Sequence, residues 1–314
     1  MNFQETLLQA IRSKIQNDSV NETIAAVLNI SYDAAHRRVS MKSKFSIEET
    51  VLLCQYFKIS MDKLFSRSNQ IIATKTVEIK SQQDLLHYFK DSLNHIKEFK
   101  KPNSRFVYSA KDLPIFYTIG GTLLAKFKLF VWLNLLSNES NTPFENFYLE
   151  ENIQEFSHEM MAIYNQVQVQ EIWNDTTINS TIQQIMYYYQ SGLISLKNVL
   201  HLYDDVVAVL NKVEEKSTNN PNFHLYYNEL LILNNNVLVE NTETAKLFVP
   251  YTMLGYFITE DKQTIQSTHA FLESQIRNSK SLTLSGTKDR KQFFNKAKEK
   301  VTFLKSRIEN EINF

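Results

Sequence analysis

The residue types that do chemistry are all present in this chain, but most lack the spacing that chemistry needs. His158-Glu159 opens a zincin-like string, in which two imidazoles four residues apart on one helix hold zinc; position 162 is Ala, so the second ligand is missing. None of the seven histidines has another four residues away. His201 with Asp204 and Asp205 offers an imidazole and two carboxylates at helical spacing, which suits a metal site, an acid–base pair or a solvated face. Gly120-Gly121 lacks the Lys and Ser/Thr of a phosphate loop and the third glycine of a dinucleotide fingerprint. Ser285-Gly286-Thr287 precedes a helix, where it would receive an anion or act as a plain cap. Cys54, the single cysteine, excludes an internal disulfide framework and zinc sites built from several thiolates, and it falls on the packed face of a helix, whereas a reactive thiol needs an electropositive, partly open setting. Tyr187-Tyr188-Tyr189 points three ways round a helix and, with Tyr226, Tyr227 and Tyr251, serves either packing or an aromatic-lined cavity. We read no catalytic constellation, no metal site and no cofactor.

Charge is distributed with more purpose. Lys and Arg number 34, as do Asp and Glu, so any nucleic-acid contact must come from a local patch rather than from a whole-chain bias. Residues 1–68 hold nine Lys or Arg against seven Asp or Glu, and four of the nine are Arg37, Arg38, Lys42 and Lys44. A second cationic run, seven residues between Arg290 and Arg307, suits a solvated helix face or an accessory nucleic-acid contact.

The first patch needs a scaffold, and the spacing supplies one. Phe3, Leu7, Leu8, Ile11 and Ile15 mark one face of a helix over 3–16. Ser19-Val20-Asn21-Glu22 is a capping box opening a second helix through Leu28. Asn29 is suited to the left-handed backbone that ends a helix sharply, and Ser31 N-caps the next helix, Tyr32 to Val39. Ala25 is small enough for two helices to cross closely, and Ile30 and Ala35 anchor the second onto the first. Ser46 to Glu49 opens another helix carrying Val51, Leu52, Leu53 and Phe57, and Ile59 to Phe65 closes the set.

Thr23 to Met41 resembles the helix-turn-helix core of the phage-repressor-like (XRE-type) transcription regulators, and the likeness extends over residues 3–68. Two departures stand out: Asn29 where the family usually has Gly, and Arg38 near a position that is usually large and apolar. The resemblance implies that Ser31, Tyr32, Asp33, His36 and Arg37 face the major groove, an Arg there pairing with guanine for about 1–3 kcal/mol of discrimination. Lys42 and Lys44 would then hold phosphates, which carry affinity without sequence information.

The rest of the chain is read as follows. Ser66 to Thr76 is a junction. A helix over 81–96 buries Leu85, Leu86, Phe89, Leu93 and Ile96, and Arg105 to Tyr108 is a short strand. Pro114 opens a long apolar helix to Leu136; Lys126 and Lys128 interrupt it, so it is a buried helix rather than a membrane span. Helices follow at 151–173, 177–190 and 195–215. Residues 223–227 and 230–233 are β-like, Asn234-Asn235-Asn236 is a turn and Val237 to Val239 the returning strand, with further antiparallel pairing to 258. Two helices, 261–279 and 288–311, close the chain.

Together these readings predict a mainly α, overall α+β protein. A four- to five-helix helix-turn-helix domain (1–68) precedes a larger helical domain (69–314) with a small antiparallel sheet, its β-hairpin near 223–258. The expected function is sequence-specific DNA-binding regulation of transcription in a bacterial cytoplasm. The partner is double-stranded DNA, and the C-terminal domain forms a homodimer and senses a ligand or protein signal. The alternative is a protein-docking or scaffolding factor, for example in phage defence or signalling, that uses the head for protein contacts.

Overall fold

The computed structural model describes residues 3–15, 19–65, 71–136, 142–149, 151–230, 233–284 and 287–312. The chain divides into two units, Met1–Ile72 and Ala73–Phe314.

In the first unit the apolar spacing becomes α1 (Phe3–Arg12), α2 (Val20–Leu28), α3 (Tyr32–Val39), α4 (Ile47–Phe57) and the single-turn α5 (Met61–Phe65). Leu7, Leu8, Ile11, Ile24, Ala35, Leu53 and Cys54 form its core, with Ala25, Ile30, Val39 and Phe57 packed around them. The capping box at Ser46 is present in full, with both reciprocal bonds to Glu49. The one at Ser19 is not: Ser19 stands at the N-cap in extended conformation without a side-chain bond, and the Thr23 hydroxyl donates to its carbonyl instead. Of the apolar residues that this helix carries, Val51 and Leu52 are exposed, because Leu53, Cys54 and Phe57 lie on the side of α4 that meets the other helices.

The second unit is built on eight strands: β1 (Thr74–Lys75), β2 (Arg105–Ser109), β3 (Gln168–Trp173), β4 (Phe223–Tyr227), β5 (Val237–Glu240), β6 (Ala245–Pro250), β7 (Tyr256–Thr259) and β8 (Lys280–Ser281). They form one mixed sheet in the order β1-β7-β6-β5-β2-β3-β4-β8. The expected small antiparallel sheet is thus corrected: β2, β3 and β4 are parallel and the other pairings antiparallel. Parallel neighbours need long crossovers. Here α7 (Leu123–Leu136) and α8 (Glu151–Gln166) join β2 to β3, and α9 (Asn179–Gln190) and α10 (Leu196–Asn219) join β3 to β4. The antiparallel part is the β5–β6–β7 meander, while β4 pairs with β3 and β8 and not with β5. Leu231 and Ile232, read as β-like, lie outside the described residues, as do 66–70 of the expected junction; Thr74 and Lys75, also assigned to that junction, are an edge strand.

Strand residues alternate between two cores. Phe106, Tyr108, Val169, Trp173, Phe223, Leu225, Val237 and Val239 face the main one. It is shared with α7–α10, with α6 (Gln82–Ile96) and with α12 (Thr287–Ile312), and each fully buried aromatic there contributes on the order of 2 kcal/mol. Val107, Ile172, Leu238 and Leu247 face the other way, onto Leu272 of α11 (Lys262–Arg277). The long helix expected from Pro114 is two pieces: a 3-10 turn at Ile115–Tyr117, then α7, separated by Gly120 at φ 101, where a helix cannot continue. α7 is apolar almost all round because protein surrounds it, and among the described residues no helix is long and apolar enough to cross a membrane.

Candidate functional site

The turn between α2 and α3 sets the geometry of the head. Asn29 adopts the left-handed conformation (φ 51), and the Ile30 amide donates to the Ala25 carbonyl at 3.0 Å. Ser31 then caps α3, its hydroxyl accepting the Ala34 amide at 3.3 Å. This places Ala35 in the core and turns the opposite side of α3 outward.

All seven residues singled out for nucleic-acid contact are exposed: Ser31, Tyr32, Asp33, His36 and Arg37 on α3 and its cap, and Lys42 and Lys44 on the loop that follows. Tyr32 and His36 lie in nearly parallel planes with ring centroids 6.4 Å apart. Among the described residues Arg37, Lys42 and Lys44 make no ion pair.

Two residues that the sequence reading did not single out organise this surface. Asn21, one turn before Ala25 on the face of α2 that meets α3, donates to the Tyr32 hydroxyl at 3.2 Å and lies 3.4 Å from His36 Nδ1. Gln4 of α1 holds the lysine-bearing loop: its amide donates to the Arg38 and Ser43 carbonyls at 2.8 and 2.9 Å, and its oxygen accepts the Phe45 amide at 3.2 Å. Asn21 was legible from the four-residue spacing to Ala25; Gln4 had no local signal, since its partners are 34 to 41 residues away.

Arg38 belongs to the scaffold. It is half-buried, forks onto Glu49 with bonds of 2.9 and 2.7 Å, and donates to the Ala34 carbonyl at 3.1 Å. These bonds hold the Glu49 carboxyl below the usual carboxylate range and tie α3 to the start of α4.

In the second unit, the chemistry-bearing residues are mostly committed to structure. Asp205 accepts the Leu124 amide at 2.9 Å and so caps α7, Asp204 pairs with Lys305 at 2.6 Å, and His201 is exposed. Cys54, in the head, is buried, which pushes its thiol pKa up. Only Tyr188 of the tyrosine triplet is core. Ser285 and Gly286 lie outside the described residues. The cations of α12 act as struts: Lys296 pairs with Asp175 and Lys298 with Glu214, each at 2.6 Å, and Lys300 donates to the Asp175 carbonyl. Among the described residues no three His, Cys, Asp or Glu side chains are grouped to hold a metal ion.

Two buried ionisable groups stand out. Glu171, at the centre of β3, is fully buried; Oε1 accepts from Tyr117 (2.6 Å) and Tyr164 (2.7 Å), and Oε2 from the Trp173 indole (2.6 Å). Burial raises its pKa against those three donors. It also hid the strand, because an acid at a core-facing position breaks the alternation of Val167, Val169 and Trp173, and the stretch read as helix. Lys128 of α7 is 6% exposed and donates to Gln184 at 2.7 Å; burial brings its pKa down to about 8. Comparison of the chain with protein-family models, with curated proteins and with solved structures found no match.

Proposed function

We propose that the chain is a sequence-specific DNA-binding regulator of transcription, of the phage-repressor-like kind, whose head reads DNA while the second unit forms the homodimer. The observation that carries this reading is the outward face of α3. After a turn set by the left-handed Asn29 and the capping Ser31, it presents Tyr32, Asp33, His36 and Arg37, flanked by Lys42 and Lys44 with no ion-pair partner among the described residues. Cations on a surface held by Gln4 and Asn21 suit phosphate contact and base reading without a large ordering cost. A single head makes few base contacts, so two heads on half-sites about one helical turn apart supply affinity and specificity.

The test is fluorescence anisotropy on DNA from upstream of the protein's own coding sequence and on bulk DNA, at two salt concentrations. Binding should weaken with salt, lose specificity in Arg37→Ala and weaken uniformly across sequences in Lys42→Ala. Absence of binding to bulk DNA at low salt overturns the reading. A second reading has its own support: α4 exposes Ile47, Val51, Leu52 and Tyr56, an apolar surface suited to docking the head on a protein. It takes precedence if DNA binding fails while circular dichroism shows the head folded.

A further inference from the structure

A cavity of about 50 Å³ lies between α6 and the face of the sheet formed by β2, β5, β6 and β7. Phe106, Val237, Val239 and Phe248 supply apolar wall, and five hydroxyl-bearing residues line the same space: Thr76, Tyr88, Ser92, Tyr108 and Tyr256. A hydroxyl carries one proton and accepts up to two. Tyr88 and Ser92 stand one turn apart on α6, and Tyr108 and Tyr256 line the same wall, so a bond within either pair would use one proton and leave one. The Thr76 hydroxyl accepts the Tyr256 amide at 2.9 Å and keeps its own proton. The wall therefore offers more donors than its own acceptors take up. Burial raises the pKa of Tyr88 and Tyr108, which keeps both protonated. No charged side chain lines the cavity.

We propose that this cavity is a binding site for a small uncharged molecule, largely apolar and carrying one acceptor oxygen, such as a short ketone. A water-sized volume in this measure is ~10–15 Å³, so the space suits an occupant of about three to five non-hydrogen atoms. An acceptor-only oxygen takes the spare hydroxyl protons, and the alkyl part meets Phe106, Val239 and Phe248. The site also reads out on the chain leading from the head, because Thr76 directly follows β1 and its amide donates to the Tyr256 carbonyl at 3.0 Å. The site itself does not rest on DNA binding.

The probe is butan-2-one, titrated onto the full chain and followed by saturation-transfer NMR, with hydrogen exchange of the Thr76 amide as a second readout. Saturable binding in the millimolar range is expected, with Thr76 exchange slowed at least threefold. Tyr88→Phe should weaken binding three- to tenfold by removing a donor, and Val239→Phe should abolish it by filling the space. Should Val239→Phe fail to fold by circular dichroism, Ser92→Leu is the filling variant. No saturable binding to the wild-type chain, or equal binding in the filled variant, overturns the site; unchanged affinity in Tyr88→Phe overturns the acceptor-oxygen assignment.

Discussion

Replacing Lys128 with Met should stabilise the protein at neutral pH, and by an amount that depends on pH. The side chain sits in the middle of α7 at 6% exposure, with Gln184 as its hydrogen-bond partner and the Trp132 ring 5.7 Å from its ammonium. Burial lowers its pKa from 10.5 to about 8, with the Asp112 carboxylate opposing. That difference of roughly 2.5 units makes the buried ammonium cost about 3 kcal/mol at pH 7 relative to the unfolded chain. Met keeps the length without the charge, while Gln184 loses a partner for about 1 kcal/mol; the net gain expected at pH 7 is about 2 kcal/mol. Between pH 8 and 10.5 the unfolded chain binds more protons than the folded one, so wild-type stability rises with pH across that window. The advantage of Lys128→Met should therefore shrink to about zero near pH 10. Urea unfolding of both proteins at pH 7, 8.5 and 10 measures this, other titrations cancelling in the difference. A pH-independent difference, or a destabilised variant at pH 7, would refute the assignment of a desolvated lysine.

Three further outcomes are expected. Glu171→Ala strands three buried donors at about 1–3 kcal/mol each, so urea melts should show a loss of roughly 4 kcal/mol or more; a loss under about 1 kcal/mol would show the cage to be dispensable. Arg38→Ala removes the fork onto Glu49 and should destabilise the head by about 1–3 kcal/mol, a value discounted for partial exposure. Because Glu49 has a lowered folded pKa, that difference should be full above the ordinary 4.5 and fade as pH falls below it, as amide exchange across α3 and α4 in the full chain would register. Asn29→Val forces a β-branched residue to φ 51 and should cost about 1–2 kcal/mol, whereas Asn29→Gly should change stability by only a few tenths; thermal melts in which both behave alike would contradict the left-handed cap.

Local chemistry was legible in the sequence wherever the interacting residues are near one another in the chain. Asn29 and Ser31 act within four residues, so the helix ends they determine could be read directly, as could the capping box at Ser46, the face of α6 and the closing helices. Exposure of His36 and Arg37 follows from the same short-range logic, since positions one and two residues beyond Ala35 turn away from the face that it buries. Exposure of Val51 and Leu52 could not be read this way, because apolarity says a side chain prefers burial and not whether a neighbour is there to bury it.

Only tertiary structure decided the sheet. Parallel pairing joins Phe106 to Val169 and Val169 to Phe223, partners more than fifty positions apart in the chain, and nothing local to those strands encodes it. Glu171 disguised β3 for the same reason: a carboxylate becomes a core residue only when Tyr117, Tyr164 and Trp173 converge on it. Arg38 became scaffold once Glu49 was beside it, and Lys128 once Gln184 was. The sequence by itself determined which residues could begin, end and face a helix, because those preferences act through bonds within a turn or two. The roles of buried charges and the order of the strands were decided in three dimensions, where the partners that offset desolvation are brought together.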